Sequence, residues 1–287
     1  MQNDNKIKAL ITLLDDRDFK IYNQIEIEIL HFGKDAIPML MDAWSSSMDH
    51  VLQGRIEDII HKIQYDDTLA KLIHWKKTPD QDLLTGTYLM ARFQYPDLDY
   101  SKIEQQINQI AEKVSDQFES DMSVLERIRA VNYILFNSMG FRGNTENFHA
   151  PQNSFINIVL ESHKGSPLLL SIIYSLVCLK VDLPVYGVNL PQHFVLGLLE
   201  EKKTNDELEK SEVLFYINPF NKGDIFGANE LGIFLERVNL PRHEIFYRPC
   251  SNLEILKRLA RNLHYSYEKL GYPEKSNEID YILSQLD

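Results

Sequence analysis

The sequence predicts an α+β fold: a helical N-terminal region, a core with a central buried helix packed on an antiparallel sheet, and a helical C-terminal tail. Three observations lead there. Apolar residues recur at helical spacing through roughly the first 120 residues. The segment Leu168 to Lys180 is apolar almost all round, as a helix covered on every side must be. Two strand-like stretches, His193 to Leu199 and Glu212 to Ile217, flank a charged tip running from Glu200 to Ser211.

Taken in order, Ile21, Ile25, Ile29 and Phe32 mark one helical face, and Gly33 stops it. Asp35 to Trp44 reads as a short second helix. Arg55 to Ile63 and Leu69 to Trp75 repeat the amphipathic pattern. The series resembles a HEAT-type array without a clean period. Pro96-Asp97-Leu98-Asp99 is a turn, followed by a helix from Tyr100 to Phe118. Ser123 to Met139 forms another, ended by Gly140. Asn153 or Ser154 then caps a helix that finishes before Gly165. Ser166 is the expected cap of the apolar helix, with Pro167 at its first position, where proline is favoured. Val185 to Val188 begins the strands. Leu253 to Leu270 and Ser276 to Leu286 form the final helical pair, separated by Tyr272-Pro273. These boundaries suggest three parts: 1–118, 119–248 and 249–287.

Composition narrows the function. The chain has 287 residues, 44% hydrophobic and 25% charged, which suits a globular protein rather than a disordered one. A net charge of −12 argues against general nucleic-acid binding, which needs Lys and Arg against phosphate. Arg237, Arg242, Arg248, Lys257, Arg258 and Arg261 cluster locally, but Glu236, Glu244 and Glu254 dilute them into a solvated face. Cys178 and Cys250 are far apart, so neither a disulfide framework nor a zinc motif is indicated. The start of the chain lacks a signal-peptide pattern, and no apolar run reaches the ~20 residues of a membrane span. The expectation is a cytoplasmic protein with no cofactor, no metal and no membrane or nucleic-acid partner; its oligomeric state is left open.

The chemically suggestive stretch runs from Asn153 to Phe220. A thiol nucleophile at a helix N-terminus gains from the helix dipole and free N–H groups. It then needs an imidazole as base and a third group to orient it. Here a helix start, a strand start and a strand end offer Ser166-Pro167, His193 and Asn218. Pro167 has no nucleophile, and Ser166 reads as a cap rather than an activated hydroxyl. Cys178 lies about 16 Å into the helix at 1.5 Å per residue, beyond the dipole's help. Pairing the strands about the charged tip brings His193 and Asn218 to the same end of the hairpin. Asn218 can orient an imidazole, but it cannot stabilise imidazolium as a carboxylate does.

The stretches Asn153-Ser154-Phe155, Lys164-Gly165-Ser166-Pro167, Gly187-Val188-Asn189-Leu190-Pro191-Gln192-His193-Phe194 and Tyr216-Ile217-Asn218-Pro219-Phe220 together resemble the bacterial SirB-type branch of the transglutaminase-like superfamily. A related domain occurs in an F-box protein of animals. The resemblance implies a papain-like core in which Pro167 replaces the usual cysteine, and a tetratricopeptide-like tail around Leu253 to Tyr267. It also implies a regulatory or protein-binding role rather than catalysis. Two positions depart from the pattern: Gln192 stands where glycine is expected, and Asn218 where aspartate is expected. The leading expectation is a catalytically inactive protein that binds an unidentified protein or peptide in the remnant groove. Asn153, Ser154, Ser166, Gln192, His193 and Asn218 would be its binding residues. The alternatives are an acyl-transfer enzyme or hydrolase using Ser166 or Cys178 with His193, and a structural protein whose helical array binds the partner.

Overall fold

The computed structural model describes residues 2–287, and the chain divides into two compact units, Met1–Lys71 and Leu72–Asp287. The first unit holds α1 (Gln2–Ile11), α2 (Phe19–Leu30), α3 (Ile37–Ser46) and most of α4 (His50–Lys76). Asp18 starts α2 by accepting the Lys20 N–H at 2.9 Å, which satisfies one of the helix's orphan donors. The core of this unit gathers Ile7, Leu14, Ile25, Ile29, Leu40, Ile56 and Ile59. Ile25 and Ile29 are buried as their spacing requires, whereas Ile21 is 43% exposed and lies off the apolar stripe. The two helices expected at Arg55 to Ile63 and Leu69 to Trp75 are one continuous helix, α4. No Gly or Pro separates them, and Tyr65-Asp66-Asp67 is polar enough to look like a break without being one.

The second unit continues with α5 (Leu83–Arg92), capped by Asp82, and α6 (Tyr100–Ser115), capped by Asp99. Next comes α7 (Val124–Asn132), whose N-terminus is a reciprocal capping box of Ser123 and Glu126. The single helix expected to reach Met139 instead changes to a wide π turn at Tyr133–Ser138. Two-residue strands β1 (Arg142–Gly143) and β2 (Lys164–Gly165) pair in parallel. Between them a 3-10 turn, Pro151–Ser154, precedes α8 (Ile156–Ser162). Asn153 and Ser154 therefore sit inside that turn; the residue at the cap position is Phe155, which has no capping side chain.

Helix α9 (Pro167–Lys180) runs through the middle of this unit, with every residue from Leu168 to Cys178 buried. It packs on a four-stranded antiparallel sheet in the order β3 (Val185–Leu190), β4 (His193–Leu198), β5 (Phe215–Asn218) and β6 (Asp224–Phe226). The charged tip carries a single-turn helix, α10 (Asn205–Leu208). Strand alternation assigns the faces. Val188, Leu190, Val195 and Tyr216 form one cluster with Leu231 and Leu235 of α11 (Ala228–Arg237). Phe194, Leu196 and Leu198 point the other way, and Phe194 meets Ile255 of α12 (Asn252–Leu270) beside Gly187. The last helix, α13 (Pro273–Leu286), packs along α12. Among the described residues, no helix is long and apolar enough to cross a membrane.

One polar node ties α7, α9 and the sheet together. The Tyr174 hydroxyl, fully buried, donates to Asn132 Oδ1 at 2.8 Å, and Asn132 Nδ2 donates to the Gly223 carbonyl at 2.8 Å. Gly223 has φ +77°, and a Cβ there would stand 1.9 Å from Asn132 Oδ1. Substitution Gly223→Ala combines a left-handed backbone with a clash against a satisfied buried network. It is expected to cost about 2–3 kcal/mol in a denaturant titration. An unchanged midpoint would show that the node carries no such constraint.

Candidate functional site

The start of α9 opens onto a cavity of about 560 Å³. Ser154, Leu168, Phe194 and Ser266 are its buried surfaces; Ser166 and Pro167 form one wall; Phe148, His149, Gln192 and Tyr265 stand exposed around it. Arg258, Asn262 and Tyr265 come from α12, at spacings of four and seven residues, which put them on one helical face.

Each wall has a local cause. Ser166 Oγ accepts the Leu169 N–H at 3.2 Å, and Pro167 occupies the first helical position. Asn153 is 3% exposed and fully engaged. Its Nδ2 donates to the Asn147 and Phe148 carbonyls, its Oδ1 accepts from Asn144 Nδ2, and its carbonyl accepts the Ser166 N–H. Asn153 thus fastens the loop that presents Phe148 and His149. His149 meets both Phe148 and Tyr265 edge-on, at 5.3 and 5.4 Å between centroids. Gln192 lies in the tight link between β3 and β4, after Pro191, and has φ +60°. Proline followed by a residue at positive φ is the type II turn pattern, which favours glycine at the second place.

The residues singled out from sequence divide into two groups. Ser154, Ser166, Pro167 and Gln192 line the cavity, and Asn153 holds its edge from outside. His193 and Asn218 are not among its lining residues. His193 pairs with Leu190 across the turn, so its side chain takes the α11 face of the sheet, where it meets Phe234 edge-on at 4.6 Å. Asn218 shares that face with Tyr216, but its Oδ1 accepts the Phe220 and Asn221 N–H groups at 3.1 and 3.3 Å. It acts there as the cap of a 3-10 turn. The hairpin does bring the two residues to one end, yet on the side of the sheet away from Ser166.

Sequence reasoning missed Arg258, Tyr265, Asn262 and the Phe148-His149 pair. The signal for the α12 residues was their helical spacing beside the buried stripe of Leu256, Leu259 and Leu263. Half of the basic cluster expected as a solvated face pairs with acids: Arg242 with Glu236, Arg248 with Glu244, and Lys257 with Glu254 and Asp287. Arg258 differs. Its Nη1 donates to Asn189 Oδ1 and to the Leu190 carbonyl, and its guanidinium lies over the Phe194 ring.

The two thiols are poor nucleophiles. Cys178 is fully buried, and burial pushes its pKa well above the ordinary range. Cys250 donates to the Gly187 carbonyl at 3.4 Å, and burial is the main cause that pushes it up to about 12. Among the described residues, no three His, Cys, Asp or Glu side chains gather as a metal site.

A central buried helix packed on an antiparallel sheet, with helices at both ends of the chain, defines an α+β protein. Residues 101–261 match the Transglutaminase-like superfamily, and the chain belongs to it. The chain is 29% identical over 194 residues to a UPF0162 protein of Xylella fastidiosa, covering 64% of each chain. It is 23% identical over 179 residues to the UPF0162 protein YchA of Escherichia coli, covering 61% of each. A third relative is F-box only protein 21 of Mus musculus, 25% identical over 191 residues that cover 58% of this chain and 30% of that one. The match thus spans less than two thirds of each relative's length. No solved structure matches.

Two measurements check the electrostatics. With pKa values raised, little thiolate forms at pH 8, so both cysteines should react with a disulfide reagent about 100-fold more slowly than in the denatured chain. Fast reaction of Cys178 would contradict its burial, and fast reaction of the half-buried Cys250 would contradict its raised pKa. Burial first, and Arg258 second, hold the His193 pKa below 6.5. The neutral ring is therefore the form that folding favours. Its contribution to stability is complete above 6.5 and is lost as pH falls through the lower folded value. An NMR titration of the ring should give a midpoint below 6.5 that rises in Arg258→Gln.

Proposed function

We propose that this chain is a non-catalytic member of the superfamily, of its SirB-type branch, that binds a protein segment in the cavity at the start of α9. The observation that carries the proposal is the chemistry of that helix start. Pro167 stands where a thiol nucleophile would gain from the helix dipole, and Ser166 Oγ already accepts the Leu169 N–H. Supporting it, His193, the imidazole that the sequence offers as a base, takes the opposite face of the sheet. An acyl transfer needs nucleophile and base within hydrogen-bond reach, and these residues do not meet that need. What remains is a concave surface with aromatic walls and several hydroxyl and amide groups, a composition suited to binding.

The test uses a pool of hexapeptides, degenerate at every position, passed over the immobilised protein and read by mass spectrometry. Wild type is expected to retain peptides, and Ala150→Trp, which fills the cavity, to lose most of them. Fluorophosphonate and iodoacetamide probes are expected to give no labelling that depends on His193. Equal retention by the filled variant would place binding elsewhere. Labelling abolished by His193→Ala would restore the enzyme reading.

A further inference from the structure

We infer that the cavity recognises a peptide carboxylate through Arg258, with an apolar side chain of the same peptide seated on Phe194 and Tyr265; this rests on the binding role proposed above. The argument is one of charge. The sequence carries 42 acidic residues against 30 basic ones, yet no Asp or Glu is among the residues that line the cavity. Arg258 is the one Lys or Arg there. Among the described residues no carboxylate pairs with it; its partners are neutral oxygens, Asn189 Oδ1 and the Leu190 carbonyl, and both engage Nη1. Nε and Nη2 remain, the edge with which a guanidinium grips a carboxylate through two parallel bonds.

Arg242 and Lys257 of the same region, by contrast, have acidic partners within 3.2 Å. A half-buried cation costs desolvation, and a fold with this excess of acids could have neutralised it. The ring of Phe194 under the guanidinium and the polar contacts to Asn189 and Leu190 hold it in place instead. The start of α9 adds positive potential from another direction, through Ser166 and Pro167 in the cavity wall. A volume of about 560 Å³ admits a terminal residue and its neighbour rather than a whole helix. That favours the end of a chain, or a single acidic side chain with an apolar neighbour.

The experiment compares three hexapeptide pools on wild-type protein: free acids without internal Asp or Glu, the same pool as C-terminal amides, and amides with one fixed internal Glu. The free-acid pool is expected to be retained at least about tenfold better than the plain amides, the size of a charge-assisted hydrogen bond. Arg258→Gln should remove that preference, so that within the variant the free-acid pool is retained no better than the plain amides. If the internal-Glu pool matches the free acids, the recognised carboxylate is a side chain rather than a terminus. If acids and plain amides are retained alike and both are lost from Ala150→Trp, the groove binds peptides but the carboxylate inference fails. No retention of any pool overturns the binding role and this inference together. The comparison on wild type needs no variant, so misfolding of Arg258→Gln would not rescue the inference.

Discussion

Helix α9 is the constraint on which the second unit depends. Its residues from Leu168 to Cys178 are apolar or small on every side, and all of them are buried. Such a segment cannot lie on a surface. It needs cover all round, and the sheet, α6 and α8 supply it. Once surrounded, the helix can reach solvent only at its ends. Its N-terminus then becomes the floor of a cavity by geometry rather than by any particular chemistry.

That origin accounts for a cavity at a helix start whose serine oxygen is engaged as a cap. The helix start must be capped, and Ser166 and Pro167 are among the most effective residues for the purpose. Asn153 secures the adjacent loop through three side-chain hydrogen bonds and its own carbonyl, so a buried polar group is fully satisfied. Neither arrangement asks for reactivity. The electrostatic character of the hollow comes from a different element, α12, through one arginine held by neutral partners.

Much of this was legible in the sequence because the signals are local. The all-round apolar pattern gave α9, Ser166-Pro167 gave its start, and the charged tip gave β4 and β5. Where the chain diverged, the deciding term was not local. The long α4 runs unbroken through Tyr65-Asp66-Asp67 and carries Gly54 near its start. The π turn at Tyr133–Ser138 buries Ile134, Leu135 and Phe136 in a run, a pattern that helical spacing does not distinguish from an ordinary turn. His193 and Asn218 were correctly brought to one end of a hairpin, but which face each side chain takes depends on register, and a shift of one residue reverses it. Arg258 was hidden because it stands in a stretch of ordinary charged residues, and only the folded chain shows that its partners are neutral oxygens.

Gln192 has a consequence of its own. The backbone at this link is left-handed, a conformation that a residue with a Cβ holds at a cost of about 1–2 kcal/mol and glycine adopts freely. The chain nonetheless keeps an amide side chain at the cavity entrance. Main-chain comfort and an exposed amide are thus opposed at a single position. A change to glycine would relax the link and at the same stroke strip that amide from the rim.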